Sequence, residues 1–153
     1  MYLLIGTIIF IIDLLIKNHI EKLPESKAKQ SFANGKLFLE RYHNKGGALD
    51  CFSNHPTFFK VISNSFFLMS VVYLLYLLPK KGHRMLKTGM ALLTSGAASN
   101  QYDRWERGYV VDYLKFGVKW KGLRRIVFNL SDFCIFFGAI LTVMARVIKS
   151  DKK

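Results

Sequence analysis

The sequence predicts an all-α membrane protein: four transmembrane helices with a small β-sheet on the membrane surface. Three observations predict it. Apolar residues make up 51% of the chain and lie in blocks rather than scattered, the pattern of helices dissolved in lipid. The blocks are joined by basic, aromatic linkers, one of which alternates like a strand. The third block is rich in small residues, as suits a helix packed at the centre of a bundle. With 153 residues the chain is one domain's worth, so 1–153 is read as a single integral membrane domain.

The first span covers about 1–20 and is interrupted only by Asp13 and Lys17. It has no basic n-region and no small-x-small cleavage site, so it is expected to be retained rather than removed as a leader. The second span covers about 57–78 and stops at Pro79, which cannot continue a helix. The third, about 85–102, holds Gly89, Ala91, Ser95, Gly96, Ala97, Ala98 and Ser99. The fourth covers about 126–148. At about 1.5 Å per residue, each reaches across a hydrocarbon core of about 30 Å.

Between the first two spans, Lys36–Tyr42 alternates and is aromatic, and the turn-prone Asn44-Lys-Gly-Gly47 follows. A surface sheet is therefore placed within about 31–55. The stretch 104–125 sets Trp105, Tyr109, Tyr113, Phe116 and Trp120 among basic residues, as in an interfacial belt. Net charge is +13. In so apolar a chain that charge points to membrane lipids and not to nucleic acid, since each Lys or Arg near an anionic surface gains roughly 1 kcal/mol. Basic residues are more numerous on the side opposite the termini, which by itself would put the termini outside. Cys51 and Cys134 lie in a linker and a span, too far apart to bridge. The four histidines, His19, His43, His55 and His83, read as solvated linker residues.

Charged side chains inside spans cost about 2.5–3.5 kcal/mol each on insertion scales and mark function. Asp13 and Lys17, at i and i+4, read as a pair that neutralises itself and snorkels to the interface, or else as support for a site. Asn100 and Asp103 share a helix face, Arg104 follows them, Gly108 lets the helix end, and Val110-Val-Asp112 brings a carboxylate out of apolar surroundings. Asn129 and Asp132 are likewise three apart, with Asp132 roughly 10 Å below the start of the fourth span. A carboxylate at that depth recruits a partner, and Asp112 is the one available if the third and fourth spans are antiparallel neighbours. Two such carboxylates share a proton. One then deprotonates a bridging water while the other hydrogen-bonds a scissile carbonyl. This chemistry requires no metal, no cofactor and no Ser or Cys nucleophile.

Asp13 with Lys17, His43-Asn-Lys-Gly-Gly-Ala48, Asn100-Gln-Tyr-Asp-Arg104, Val110-Val-Asp112 and Phe128-Asn-Leu-Ser-Asp132 stand in the order and spacing of a known family. Over essentially its whole length the chain resembles signal peptidase II, the lipoprotein signal peptidase family of intramembrane aspartyl proteases. The resemblance implies a bacterial inner-membrane enzyme with cytoplasmic termini, and a site near the outer leaflet beneath an extracytoplasmic β-cradle. Its substrate would be a diacylglyceryl-modified prolipoprotein, cut before the lipidated Cys. Asp112 and Asp132 match the catalytic pair, and Asn44 and Gly46 match the loop that holds the substrate backbone. Asn100, Asp103, Arg104 and Asn129 match groups that orient the pair and the substrate. Ser131 stands where the family usually has Ala, Ser99 where Gly is common, and Leu49-Asp50 where an aromatic is usual. A monomer is expected. Two other readings stay open: a small ion-transporting membrane protein using Asp13, Asp112 and Asp132, and a catalytically lapsed homologue.

Overall fold

Three long apolar helices frame the computed structural model, which describes residues 1–47, 51, 52 and 54–150. They are α1 (Tyr2–Glu21), α2 (Pro56–Leu77) and α5 (Leu130–Ser150). Each is long and apolar enough to cross a membrane. Their outward faces carry exposed Ile8, Leu15, Val61, Phe66, Val72 and Val143, a surface that water would penalise and lipid tails would not. Pro56 opens α2 at a position where its missing N–H is no loss.

A fourth long helix, α3 (Arg84–Glu106), lies between the others and packs against α1, α2 and α5. It is less apolar because its neighbours cover it. Ser95, Ser99, Asn100, Gln101 and Asp103 are all buried on it. The small residues act as expected. A Cβ on Gly96 would sit 2.5 Å from the Ser131 carbonyl oxygen, and one on Gly138 would sit 2.5 Å from the Leu93 backbone nitrogen. The α3–α5 contact exists because those atoms are missing. Helix α3 continues to Glu106 and ends where Gly108 takes φ +80°, a conformation open to Gly at little cost. At the other end, Lys87 donates to the Leu78 carbonyl (3.0 Å) and to that of Lys80, capping the last turn of α2.

The sheet is larger than the expected 31–55 segment. Its strands are β1 (Lys29–Phe32), β2 (Leu37–Asn44), β3 (Val110–Phe116) and β4 (Val127–Phe128), antiparallel in the order β1-β2-β3-β4. Strand β3 comes from the second polar stretch, where apolar Val110 and Val111 needed β2 as a partner before they could be a strand, and β4 comes from the expected start of the fourth span. A short helix, α4 (Lys121–Arg124), joins β3 to β4. Because Val127 and Phe128 pair with Lys115 and Leu114, α5 starts at Leu130 rather than Ile126, and Asp132 lies in its first turn instead of deep within it. Val111, Ile20 and Tyr113 form a buried cluster that seats the sheet on the end of α1. Tyr113 is thus a core residue, whereas Trp105 and Trp120 are exposed as an interfacial belt requires. His43 lies in β2, stacked on Tyr109 and bonded to Glu21 (2.8 Å), and His19 lies within α1, so neither is a free linker residue. Cys51 and Cys134 are free. Ala48, Leu49 and Asp50 fall outside the described residues.

Candidate active site

Strand register and a helix cap build the site. The β2–β3 pairing sets Asn44 against Val110 and Tyr42 against Asp112, so the Asn44 amide donates to Asp112 Oδ2 (3.0 Å). At the start of α5, Asn129 and Asp132 cap each other. The Asn129 N–H donates to Asp132 Oδ2 and the Asp132 N–H to Asn129 Oδ1, both at 2.9 Å. The same Asn129 amide donates to Asp112 Oδ1 (2.6 Å). One asparagine therefore holds both carboxyl groups, one through its side chain and one through its backbone.

Asn100 completes the arrangement by donating to Asp132 Oδ1 (2.9 Å). Its orientation is set from behind, since Asn100 Oδ1 accepts from Lys17 Nζ (2.8 Å) and from the Asn129 amide (3.1 Å). Lys17 and Asp13 do not snorkel. Both are fully buried, 2.8 Å apart, and Lys17 also reaches Asp103 Oδ2 at 3.2 Å. Helix α3 is close enough to enclose the pair, which a helix read alone could not reveal. Asp103 stands on that rear side too: its Oδ2 accepts the Val111 N–H (3.1 Å) and its Oδ1 faces Arg107 (3.3 Å), fixing the start of β3. Arg104 spans the front. It donates to the carbonyls of Asn100 and Gly46, each at 3.3 Å, with its guanidinium over the Phe59 ring. The Gly46 N–H closes a turn onto Asn44 Oδ1 (2.9 Å).

Two cavities meet at Asp132, and one of them also reaches Asp112. One, of about 430 Å³, is lined by Asn44, Asp112, Asp132, Phe128 and Phe136. The other, of about 480 Å³, runs over Phe59, Ile62, Phe66 and Leu93. Gly47, Asn100, Arg104, Asp132 and Ile135 border both. The result is a long, mostly apolar groove with two carboxyls at its waist. Burial first, and then the facing Asp132 carboxylate, push the Asp112 carboxyl from the usual 3.8 up to about 7. A pair that keeps one proton at neutral pH can supply a base and an acid together.

Residues 5–148 match the family model for signal peptidase (SPase) II. The chain belongs to the signal peptidase II family. The lipoprotein signal peptidase of Lactobacillus johnsonii is 28% identical over 99% of this chain and 95% of its own length. That of Lactiplantibacillus plantarum is 30% identical over 98% and 95%. A bacterial membrane enzyme solved by the in meso method superposes with a TM-score of 0.82 at 25% identity, covering 99% of this chain and 90% of that one. A signal peptidase is a protease, and a carboxyl pair in an apolar groove suits that class. Of the residues expected from the sequence, the structure brings Asn44, Asn100, Asn129 and both carboxyls together, with Asn44, expected in a loop that holds substrate backbone, bonded to Asp112. Sequence reasoning missed what Ser99, Ser131 and Tyr113 do, and their only sequence signal was adjacency to Asn100, Asp132 and Asp112.

Proposed function

We propose that Asp112 and Asp132 are the catalytic dyad with which this signal peptidase II removes signal peptides from diacylglyceryl-modified prolipoproteins, cutting before the lipidated Cys. The observation that carries the reading is the Asn129 bridge, which holds the two carboxyls together at the waist of an apolar groove. A water between them gives a proton to one carboxylate and attacks the scissile carbonyl, whose oxygen accepts a hydrogen bond from the protonated partner. The proton then passes to the leaving amine. Asn44, Asn100 and Asn129 keep each carboxyl oriented, and Gly46 and Arg104 border the path of the substrate backbone. The length of the groove supports a substrate with an apolar signal segment on one side and acyl chains on the other.

In this reading α3 is the fourth transmembrane helix, since its 23 residues reach about 34 Å and its polar groups face other helices rather than lipid. The sheet then lies on the outer surface of a bacterial cytoplasmic membrane, the termini face the cytoplasm, and the enzyme works as a monomer in contact with membrane lipids. Neither the ion-transporting nor the lapsed-homologue alternative is favoured by family membership. The test is cleavage of a lipidated prolipoprotein peptide by the purified chain, wild type against Asp112→Asn. Complete loss in the folded variant is expected, and near-normal turnover would overturn the assignment.

A further inference from the structure

Asp13 lies on α1 and lines neither cavity beside the dyad, yet among the described residues it is the most heavily bonded carboxylate in the bundle. Its Oδ2 accepts from Ser99 Oγ (2.6 Å), Ser131 Oγ (2.6 Å) and Lys17 Nζ (2.8 Å). Its Oδ1 accepts from the Tyr113 hydroxyl (3.1 Å), whose own oxygen accepts the Leu130 N–H (3.0 Å). Asp13, Ser99 and Ser131 are fully buried and Tyr113 is 7% exposed.

The three hydroxyl donors have one thing in common. Each is the chain neighbour of a group at the dyad: Ser99 precedes Asn100, Ser131 precedes Asp132, and Tyr113 follows Asp112. In a strand, neighbouring side chains point to opposite faces. Tyr113 can therefore reach back to Asp13 while Asp112 points into the groove. Helix α3, strand β3 and helix α5 each carry one part of the dyad machinery, and one carboxylate on α1 ties all three together from behind.

We propose that Asp13, acting through Ser99, Ser131 and Tyr113, is a positioning hub that fixes the separation of Asp112 and Asp132. The inference rests on the dyad reading. Its logic is geometric, because a misplacement of about 1 Å at a reacting pair can cost roughly a hundredfold in rate. Charge explains why hydroxyls are used. Lys17, the one cation on Asp13 among the described residues, is shared with Asp103, so a buried carboxylate with half a counter-ion needs further donors. Those donors are placed where they also bind the site together.

The experiment uses the full chain in detergent with a lipidated peptide, and compares Ser131→Ala, Ser99→Ala and Tyr113→Phe with the hydroxyl-retaining Ser131→Thr. Asp112 faces Asp132 on α5, Lys17 on α1 and Arg104 on α3. None of these charges is altered by the substitutions, so a moved pH limb reports a moved carboxyl. Ser131→Ala and Tyr113→Phe are expected to lower kcat about tenfold or more with KM little changed, and to shift the alkaline limb of the pH–rate profile. Ser131→Thr is expected to restore both. If Ser131→Ala does not fold, Tyr113→Phe, which keeps the ring, decides. Unchanged kcat and pH limb with only a lowered melting temperature would overturn the proposal, as would a raised KM alone. Asp112→Asn, run alongside, keeps the readings apart. If it still cuts, the dyad assignment falls. If it is dead while Ser131→Ala and Tyr113→Phe match wild type, the dyad stands and the hub falls.

Discussion

The Asp112 carboxyl holds its proton to about pH 7 because burial and the facing Asp132 both penalise its charged form. Folding therefore favours the protonated acid. Its contribution to stability is full below about pH 4, declines as pH rises towards 7 and is gone above it. At pH 8 the folded protein contains an ionised, buried carboxyl. Asp112→Asn removes that burden, so the variant is expected to lose cleavage yet melt several degrees above wild type at pH 8, with the gain shrinking by pH 5. Thermal melts at the two pH values check it, and equal shifts at both would contradict the assigned titration. The same proton predicts that wild-type cleavage falls as pH rises through about 7, where the pair no longer keeps its acid member. Both carboxyls were legible in the sequence from their apolar settings, and Asn129 from its i−3 spacing to Asp132. The partner role of Asn44 was not, because it depends on a strand register set 68 residues away.

Between elements, the tightest constraint is the α3–α5 seam. Small residues in the third apolar block announced a close contact, and the structure sets Gly96 against the backbone of Ser131. Ser131 is the residue before Asp132 and a donor to Asp13. Gly96→Ala would add a methyl 2.5 Å from a carbonyl oxygen that belongs to the first turn of α5. Backbone cannot swing aside as a flexible side chain can, so overpacking is expected to cost about 1–3 kcal/mol and to displace the turn that carries Asp132. Melting temperature and kcat should fall together. A stable but inactive Gly96→Ala would place the fault in the site, and an active but unstable one would place it in the seam alone. Helix ends were harder to read. Val127-Phe128 looked like the start of a span because it is apolar, and it became a strand only when β3 offered it hydrogen bonds. Lys17 offers a second check at this scale. Lys17→Met would leave Asp13 and Asp103 without the cation they share, and a broken buried pair costs about 3–5 kcal/mol. Loss of folded protein is the expected outcome, read from the yield and melting temperature of purified material.

For the molecule as a whole, the blocked hydropathy made a helical membrane protein legible. The small residues of the third block placed α3 among the other three helices, and the structure packs it against all of them, but which of its polar groups would meet which partners was not legible, because that depends on how the neighbouring helices are rotated. In the proposed reading, depth links this architecture to substrate choice. Asp112 and Asp132 sit where the bundle meets the sheet, so as the proposed dyad they would meet only a peptide bond held at that level. A diacylglyceryl group anchors its Cys at the interface, gaining about 0.8 kcal/mol per buried methylene. Lipid binding would then position a bond that the proposed dyad has few groups to hold by itself. On the same side, Lys119, Trp120, Arg124 and Arg125 are exposed around α4, between the strand that carries Asp112 and the helix that carries Asp132. Basic and aromatic side chains there would engage anionic headgroups, with attraction screened beyond about 8–10 Å at ordinary ionic strength. One peptide, with and without its diacylglyceryl group, should therefore be cut at very different rates in detergent. Cleavage of the lipidated form should be faster in anionic than in neutral vesicles, and added salt should narrow that difference. Lys119→Glu with Arg124→Glu should abolish the preference for anionic vesicles and leave the detergent rate unchanged. Similar rates on both peptides would mean that the dyad recognises the chain without its lipid, and depth would then not be what selects the substrate.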